Sequence, residues 1–86
     1  MDNSPSHASG RLASLISAEV RATMARTRVS GAELARLIGV SQNYLSKRLR
    51  DEAPLTLNDT ELICDALGDS FEALVARALH TDSPTA

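Results

Sequence analysis

The twenty residues from Ser30 to Leu49, SGAELARLIGVSQNYLSKRL, decide how this chain folds. Leu34, Leu37 and Ile38 recur at the three- and four-residue spacing of one helical face, and Leu45 and Leu49 lie four apart beyond a break. The break is Gly39-Val40-Ser41. Glycine just past the last apolar residue is the usual left-handed helix terminator, because only glycine escapes the Cβ penalty there. Ser30 with Glu33 three residues on has the spacing of a capping box, and Ser41 is a second N-cap candidate. So short a link with a glycine at its corner favours steeply crossed helices over a long antiparallel hairpin. Ala35 faces the crossing, where a larger side chain would hold the helices apart, Val40 plugs the corner and Leu45 anchors the second helix.

Three further helical signals flank this pair. Leu12, Leu15, Ile16, Val20 and Met24 form one apolar face over Arg11 to Thr27, with Ser9 or Gly10 to start it. After a loop holding Pro54, Thr56 or Asn58 can cap a fourth helix with Leu62, Ile63, Ala66 and Leu67 inward, closed by Gly68. Asp69 and Glu72 have the spacing of another capping box, opening a fifth helix with Phe71, Leu74, Val75, Ala78 and Leu79 on one side. The expected fold is all-α, a compact five-helix bundle over residues 11–80. Residues 1–10 and 81–86, polar and aperiodic, read as disordered tails.

Composition agrees with this reading. Eighty-six residues set a prior of one domain. One Phe, one Tyr and no Trp leave an aliphatic core. Cys64 alone excludes an internal disulfide and a cysteine-rich metal cage, which points to a reducing, cytoplasmic setting. No run of about 18 apolar residues suits a membrane span, and the first ten residues lack an apolar signal core. The net charge of -2 conceals a division. From Val20 to Arg50, seven cations face Glu33 alone, whereas from Asp51 to Ala86 eight acids face Arg77. A basic middle of this kind suggests a polyanion footprint. The acids from Asp59 to Glu72 would repel such a partner, so the last two helices are expected to face away from it or toward a protein partner.

The run from Ser30 to Leu49 resembles the Xre/lambda-repressor-like helix-turn-helix family of phage and bacterial transcription regulators, which includes the short Cro-like repressors. The resemblance continues through Thr56 to Leu79, where Asp65 to Gly68, DALG, is similar to that family's usual ending of helix four. It implies a DNA-binding domain with the third helix in the major groove, acting as a homodimer on a palindromic double-stranded operator. Two positions depart from the family pattern: Gly31 stands where members often carry Gln, and Arg48 where an aliphatic residue is usual.

With Leu45 and Leu49 inward, Asn43 and Lys47 form one outward ridge of the third helix, flanked by Ser46 and Arg50 on one side and Tyr44 on the other. Asn pairs with adenine N6 and N7, and a Lys ammonium suits guanine O6 and N7. Gln42, in the first turn, reaches bases because such helices enter the groove N-terminus first. Gln42, Asn43, Tyr44 and Lys47 are therefore the expected base contacts. Arg28, Ser30, Gly31, Ser41, Ser46, Arg48 and Arg50 are the expected phosphate contacts, helped by free amides at helix N-termini. Each has a plainer reading: the serines as caps, Tyr44 as packing over the turn, Cys64 as a small hydrophobe.

No nucleophile, base and orienter group together, His7 and His80 lie in or beside the tails, and no glycine-rich phosphate loop or metal spacing occurs. An enzyme is not expected, and neither is a cofactor, a small-molecule ligand or a membrane partner. The rival is a protein-interaction module of the same fold, such as an antitoxin or antirepressor, to which the acidic end lends weight.

Overall fold

The computed structural model describes residues 8–81. Five helices follow one another: α1 Arg11–Thr27, α2 Gly31–Ile38, α3 Gln42–Leu49, α4 Leu57–Leu67 and α5 Phe71–Thr81. The expected all-α five-helix architecture is borne out. Ser9 is already tied down, its amide donating to Asp51 O at 3.2 Å and its Oγ to Ala53 O at 3.3 Å. The tail expected over residues 1–10 thus loses its last residues to the fold, and Thr81 closes α5. Residues 1–7, with His7, and 82–86 lie outside the described residues.

The boundaries follow from local chemistry. Ser30, Ser41 and Thr56 each accept the amide three residues on, satisfying one of the orphan donors at a helix start. Thr56 completes a capping box with Asp59, which settles the choice between Thr56 and Asn58. Gly39 ends α2 at φ 78°, in the left-handed region that favours glycine. The cap of α5 is Ser70 and not Asp69: Ser70 Oγ accepts the Ala73 amide at 3.0 Å. Asp69 is unavailable because its carboxylate accepts from Arg77 at 2.5 Å and from the Ser70 amide at 2.9 Å.

The core is aliphatic, as composition requires. Val20, Leu34, Ala35, Leu45, Ile63, Leu74 and Ala78 are almost completely buried, with Cys64 beside them. Each large aliphatic side chain so buried contributes about 1.5 to 3 kcal/mol. α1 runs along α5 and touches α3 and α4, while α2 packs on α3 and α4. Four residues expected on the inward faces differ. Leu12 is 58% exposed, Leu37 53%, Leu79 43% and Leu62 37%, so the buried stripes are narrower than the apolar pattern. On α1 the inward positions are instead shared with Ser17, Glu19 and Thr23, polar residues buried by hydrogen bonds to other helices. Leu12, Leu57 and Leu79 border an apolar groove between α1, α4 and α5 floored by Ile16, Phe71 and Val75.

Candidate nucleic-acid interface

α3 is only eight residues long, too short to persist alone in water, so its neighbours must hold it. Its start is fixed by Ser41, whose Oγ accepts the Tyr44 amide at 3.0 Å. Its end is held from α1: the Ser17 hydroxyl is shared between Ala13 O at 3.0 Å and Arg48 O at 3.2 Å, and the Arg21 guanidinium donates to Leu49 O. The Glu52 amide donates to Lys47 O at 2.9 Å as the chain turns away through Asp51, which has φ 64°. Ser14 Oγ donates to the Asp51 carboxylate at 3.2 Å and steadies that turn. Leu45 and Leu49 seat the helix on the core.

What remains free is the outward side. Gln42, Asn43 and Lys47 are exposed, and the last two share the ridge that their spacing implies. Ser30 and Ser41 are exposed at their caps, and Gly31 and Ser46 are half-buried. Arg28 is exposed in the turn between α1 and α2, where it takes φ 59°. Gly31, Gln42 and Ser46 meet Arg21 and Arg50 around a depression of about 150 Å³ floored by Leu45 and Leu49, with no carboxylate among its lining residues. The start of α2 and one flank of α3 thus converge on a hollow edged by two guanidiniums, each with a carboxylate neighbour outside it, Arg21 with Asp51 at 4.0 Å and Arg50 with Glu52 at 2.8 Å. Arg50 donates to Ser46 Oγ and to Glu52 Oε2, the latter at 2.8 Å, and that hydrogen bond, helped by the charges of Arg50 and Lys47, holds the Glu52 carboxyl below the usual range.

Two expected contact residues face another way. Tyr44 Oη donates to Asp59 Oδ2 at 2.9 Å, linking α3 to the first turn of α4. Arg48 lies over the Tyr44 ring, 3.5 Å from its centroid, donates to Tyr44 O at 3.2 Å, and has Nε 3.9 Å from Asp59 Oδ2. The hydrogen bond to Asp59, with burial, pushes the Tyr44 phenol above its ordinary range. Asp59, expected among acids that would repel a polyanion, is buried beneath α3, where it accepts from Tyr44 and from the Thr56 amide and lies 3.9 Å from Arg48 Nε. A (Tyr, x, x, x, Arg) pair on one helix beside a capping-box Asp on the next was visible in the sequence, but nothing local shows that they meet. Arg21 was likewise legible only as one cation among seven.

Residues 15–81 match the family described as "Helix-turn-helix domain". The chain belongs to the helix-turn-helix domain family. The resemblance carried by Ser30 to Leu49 is borne out at that level. Two solved structures of the clp gene regulator ClgR from Corynebacterium glutamicum are similar to this helix-turn-helix chain. One is 27% identical, with a TM-score of 0.78 over 90% of this chain and 79% of that one. The other is 26% identical, with a TM-score of 0.80 over 88% of this chain and 99% of that one. No curated protein sequence gives a significant match. Among the described residues no helix is long and apolar enough to cross a membrane.

Proposed function

We propose that this helix-turn-helix protein is a sequence-specific double-stranded DNA-binding transcription regulator that lays α3 in the major groove. The observation that carries the reading is the exposed row Gln42, Asn43 and Lys47 beside the hollow edged by Arg21, Arg50 and the α2 start. Gln42 and Asn43 read adenine edges and Lys47 a guanine. Arg28, Arg50, Ser30, Gly31, Ser41 and Ser46 hold phosphates, with Arg21 added to that set by its place on the rim. The similarity to a gene regulator supports the same reading.

The finer assignment is a small Cro-like repressor, cytoplasmic, without catalytic activity, that binds a palindrome as a homodimer. A single reading helix of two turns covers only a few base pairs, so two copies on half-sites one helical turn apart supply the affinity one lacks. The apolar groove bordered by Leu12, Leu57 and Leu79 leaves a face for the second copy.

Selection from a randomised duplex library tests this directly, with Lys47→Ala run in parallel. Enrichment of a palindrome, degraded by the variant at one position per half-site, is the expected result. A protein neutralising about six phosphates should lose affinity with a log-log salt slope near -5. No enrichment, with no binding even at low salt, would transfer the assignment to a protein-interaction module.

A further inference from the structure

We infer that Asp59, Tyr44 and Arg48 form a clamp that sets the rotation of α3 about its own axis, and so determines which base edges Asn43 and Lys47 reach. The inference rests on the DNA-reading role of α3 proposed above. Asp59 is a positioning residue: it is buried on α4 and acts on DNA only through α3.

The geometry of the helix carries the argument. Successive residues are about 100° apart around an α-helix, and residues four apart stack in one row. Tyr44 and Arg48 form one such row and Asn43 and Lys47 the next, over the same two turns. Any rotation that moves one row moves the other by the same angle. Leu45 and Leu49 resist translation of α3, but aliphatic contacts are non-directional and tolerate small rotations. A hydrogen bond weakens steeply with misalignment; Ser17 and Arg21 hold the last carbonyls of α3 from α1, and the 2.9 Å bond from Tyr44 Oη to Asp59 Oδ2 sets the angle on the α4 side. At a side-chain radius of roughly 6 Å, a rotation of about 10° shifts an outward tip by about 1 Å, enough to spoil a bidentate contact to a base.

Each member is held for this purpose. Asp59 Oδ2 also accepts the Thr56 amide at 3.2 Å, so the carboxylate is fixed by the α4 capping box before it meets α3. Arg48 places its positive charge with Nε 3.9 Å from Asp59 Oδ2 and stacks on Tyr44, so that the ring lies between a cation above it and a carboxylate at its hydroxyl. The Arg48 side chain is only 21% exposed. α3 packs chiefly on α1 and α2, which makes this contact its polar tie to α4. An aliphatic residue in place of Arg48 would seat α3 without supplying that charge.

The test uses the full chain and four variants: Tyr44→Phe, Asp59→Asn, their double, and Arg48→Met. Each is assayed on the selected operator and on an unrelated duplex, at a temperature where circular dichroism shows it folded. Tyr44→Phe should lose about tenfold on the operator and keep its affinity for the unrelated duplex, because phosphate contacts survive a small rotation and base contacts do not. Partial unfolding would instead weaken both equally. The double variant should bind the operator no worse than Asp59→Asn alone, since hydroxyl and carboxylate act as one unit. Arg48→Met should leave the salt slope unchanged, whereas an Arg48 that holds a phosphate would lower it by about 0.9. Equal loss on both duplexes, additive effects in the double variant, or a lowered slope would each overturn the clamp.

A readout without DNA keeps the two proposals separable. Tyr44 is the chain's one tyrosine, so absorbance titration follows its phenol alone. It should ionise above the ordinary range in the parent and return toward it in Asp59→Asn, and the amide shifts of Asn43 and Lys47 should move in Tyr44→Phe. If the parent prefers no duplex, the DNA reading falls. An ordinary phenol and unmoved amides would remove the clamp whatever the DNA result.

Discussion

Arg77→Met is expected to destabilise the fold by about 2 kcal/mol at neutral pH and by progressively less in acid. Arg77, on α5, donates from Nε to Glu19 Oε2 at 2.7 Å, and from its terminal nitrogens to Asp69 Oδ2 at 2.5 Å and Thr23 Oγ1 at 3.3 Å. It thereby ties α5 to α1 and to its own leading turn. Glu19 and Asp69 are largely buried, with side chains 10% and 14% exposed. Losing one partner of a fully buried pair costs about 3 to 5 kcal/mol. Arg77 is 38% exposed and Glu19 keeps Arg26 at 3.1 Å, so solvent screening and the second cation reduce that figure to about 2 kcal/mol. Methionine preserves the apolar stem and isolates the charge.

The pH dependence separates charge from packing. Burial raises the Glu19 carboxyl, but the hydrogen bonds and charges of Arg77 and Arg26 outweigh it and hold the group below its usual range. Asp69 is held low first by its hydrogen bond from Arg77, against burial. A carboxyl with a depressed folded pKa contributes stability above its unfolded pKa and loses it as pH falls through the folded value. The parent should therefore lose stability below about pH 4, while the variant, already without the partner, changes less. Thermal melts at a series of pH values measure it. A gap of about 10 °C at pH 7 should narrow toward pH 3. A gap that stayed constant across that range would show that Arg77 acts by packing, and would refute the ion-pair reasoning.

Four further outcomes follow from the same geometry. Leu45→Ala, at a position 1% exposed, should lose about 2 to 5 kcal/mol in urea denaturation, through the cavity left under α3. Gly39→Ala should cost about 1 to 2 kcal/mol from strain alone at φ 78°, since an added Cβ meets nothing within 4 Å, and calorimetry of the free protein reads it. Asn43→Ala should cost about 1 to 3 kcal/mol on the operator and relax one base position, checked by competition against single-base variants. Arg50→Ala should weaken all duplexes alike and lower the salt slope by about 0.9.

What was legible in the sequence is what one helix decides by itself. The ends of α2 and α3 were readable because Ser30, Gly39 and Ser41 act within a turn of their own positions. Asp69 misled for the opposite reason: its spacing to Glu72 is local, but the Arg77 that claims its carboxylate is eight residues on. The apolar stripes were read too wide, since periodicity gives the angle of a face and not how much of it a partner covers; Leu12 and Leu37 lie at the margins. Charge was the least legible. Asp59 and Arg77 entered the sequence reading only through the charge division and Arg48 as a phosphate contact, yet each is committed across 8 residues or more, at separations of 58 for Glu19 with Arg77 and 15 for Tyr44 with Asp59.

The Tyr44–Asp59 pair belongs to a set of contacts that hold an eight-residue helix in place, as the proposed reading role requires. α3 has little intrinsic tendency to persist, since nucleation is costly and its length gives few bonds to offset it. The chain compensates by constraining it from several directions: Ser41 at its start, Ser17 and Arg21 on its last carbonyls, Leu45 and Leu49 beneath, and Asp59 at its side. Only the ridge of Asn43 and Lys47, with Gln42 at its head, is left without such a tether among these contacts. Ordering of the backbone is then complete before DNA arrives, so binding pays only for the long polar side chains and not for the helix. This division also accounts for the placement of charge. Asp59 is held beneath α3, Glu19 on α1 and Asp69 before α5 are held by Arg77, and the cations Arg28, Lys47 and Arg50 lie on the exposed side, Arg50 beside the exposed Glu52.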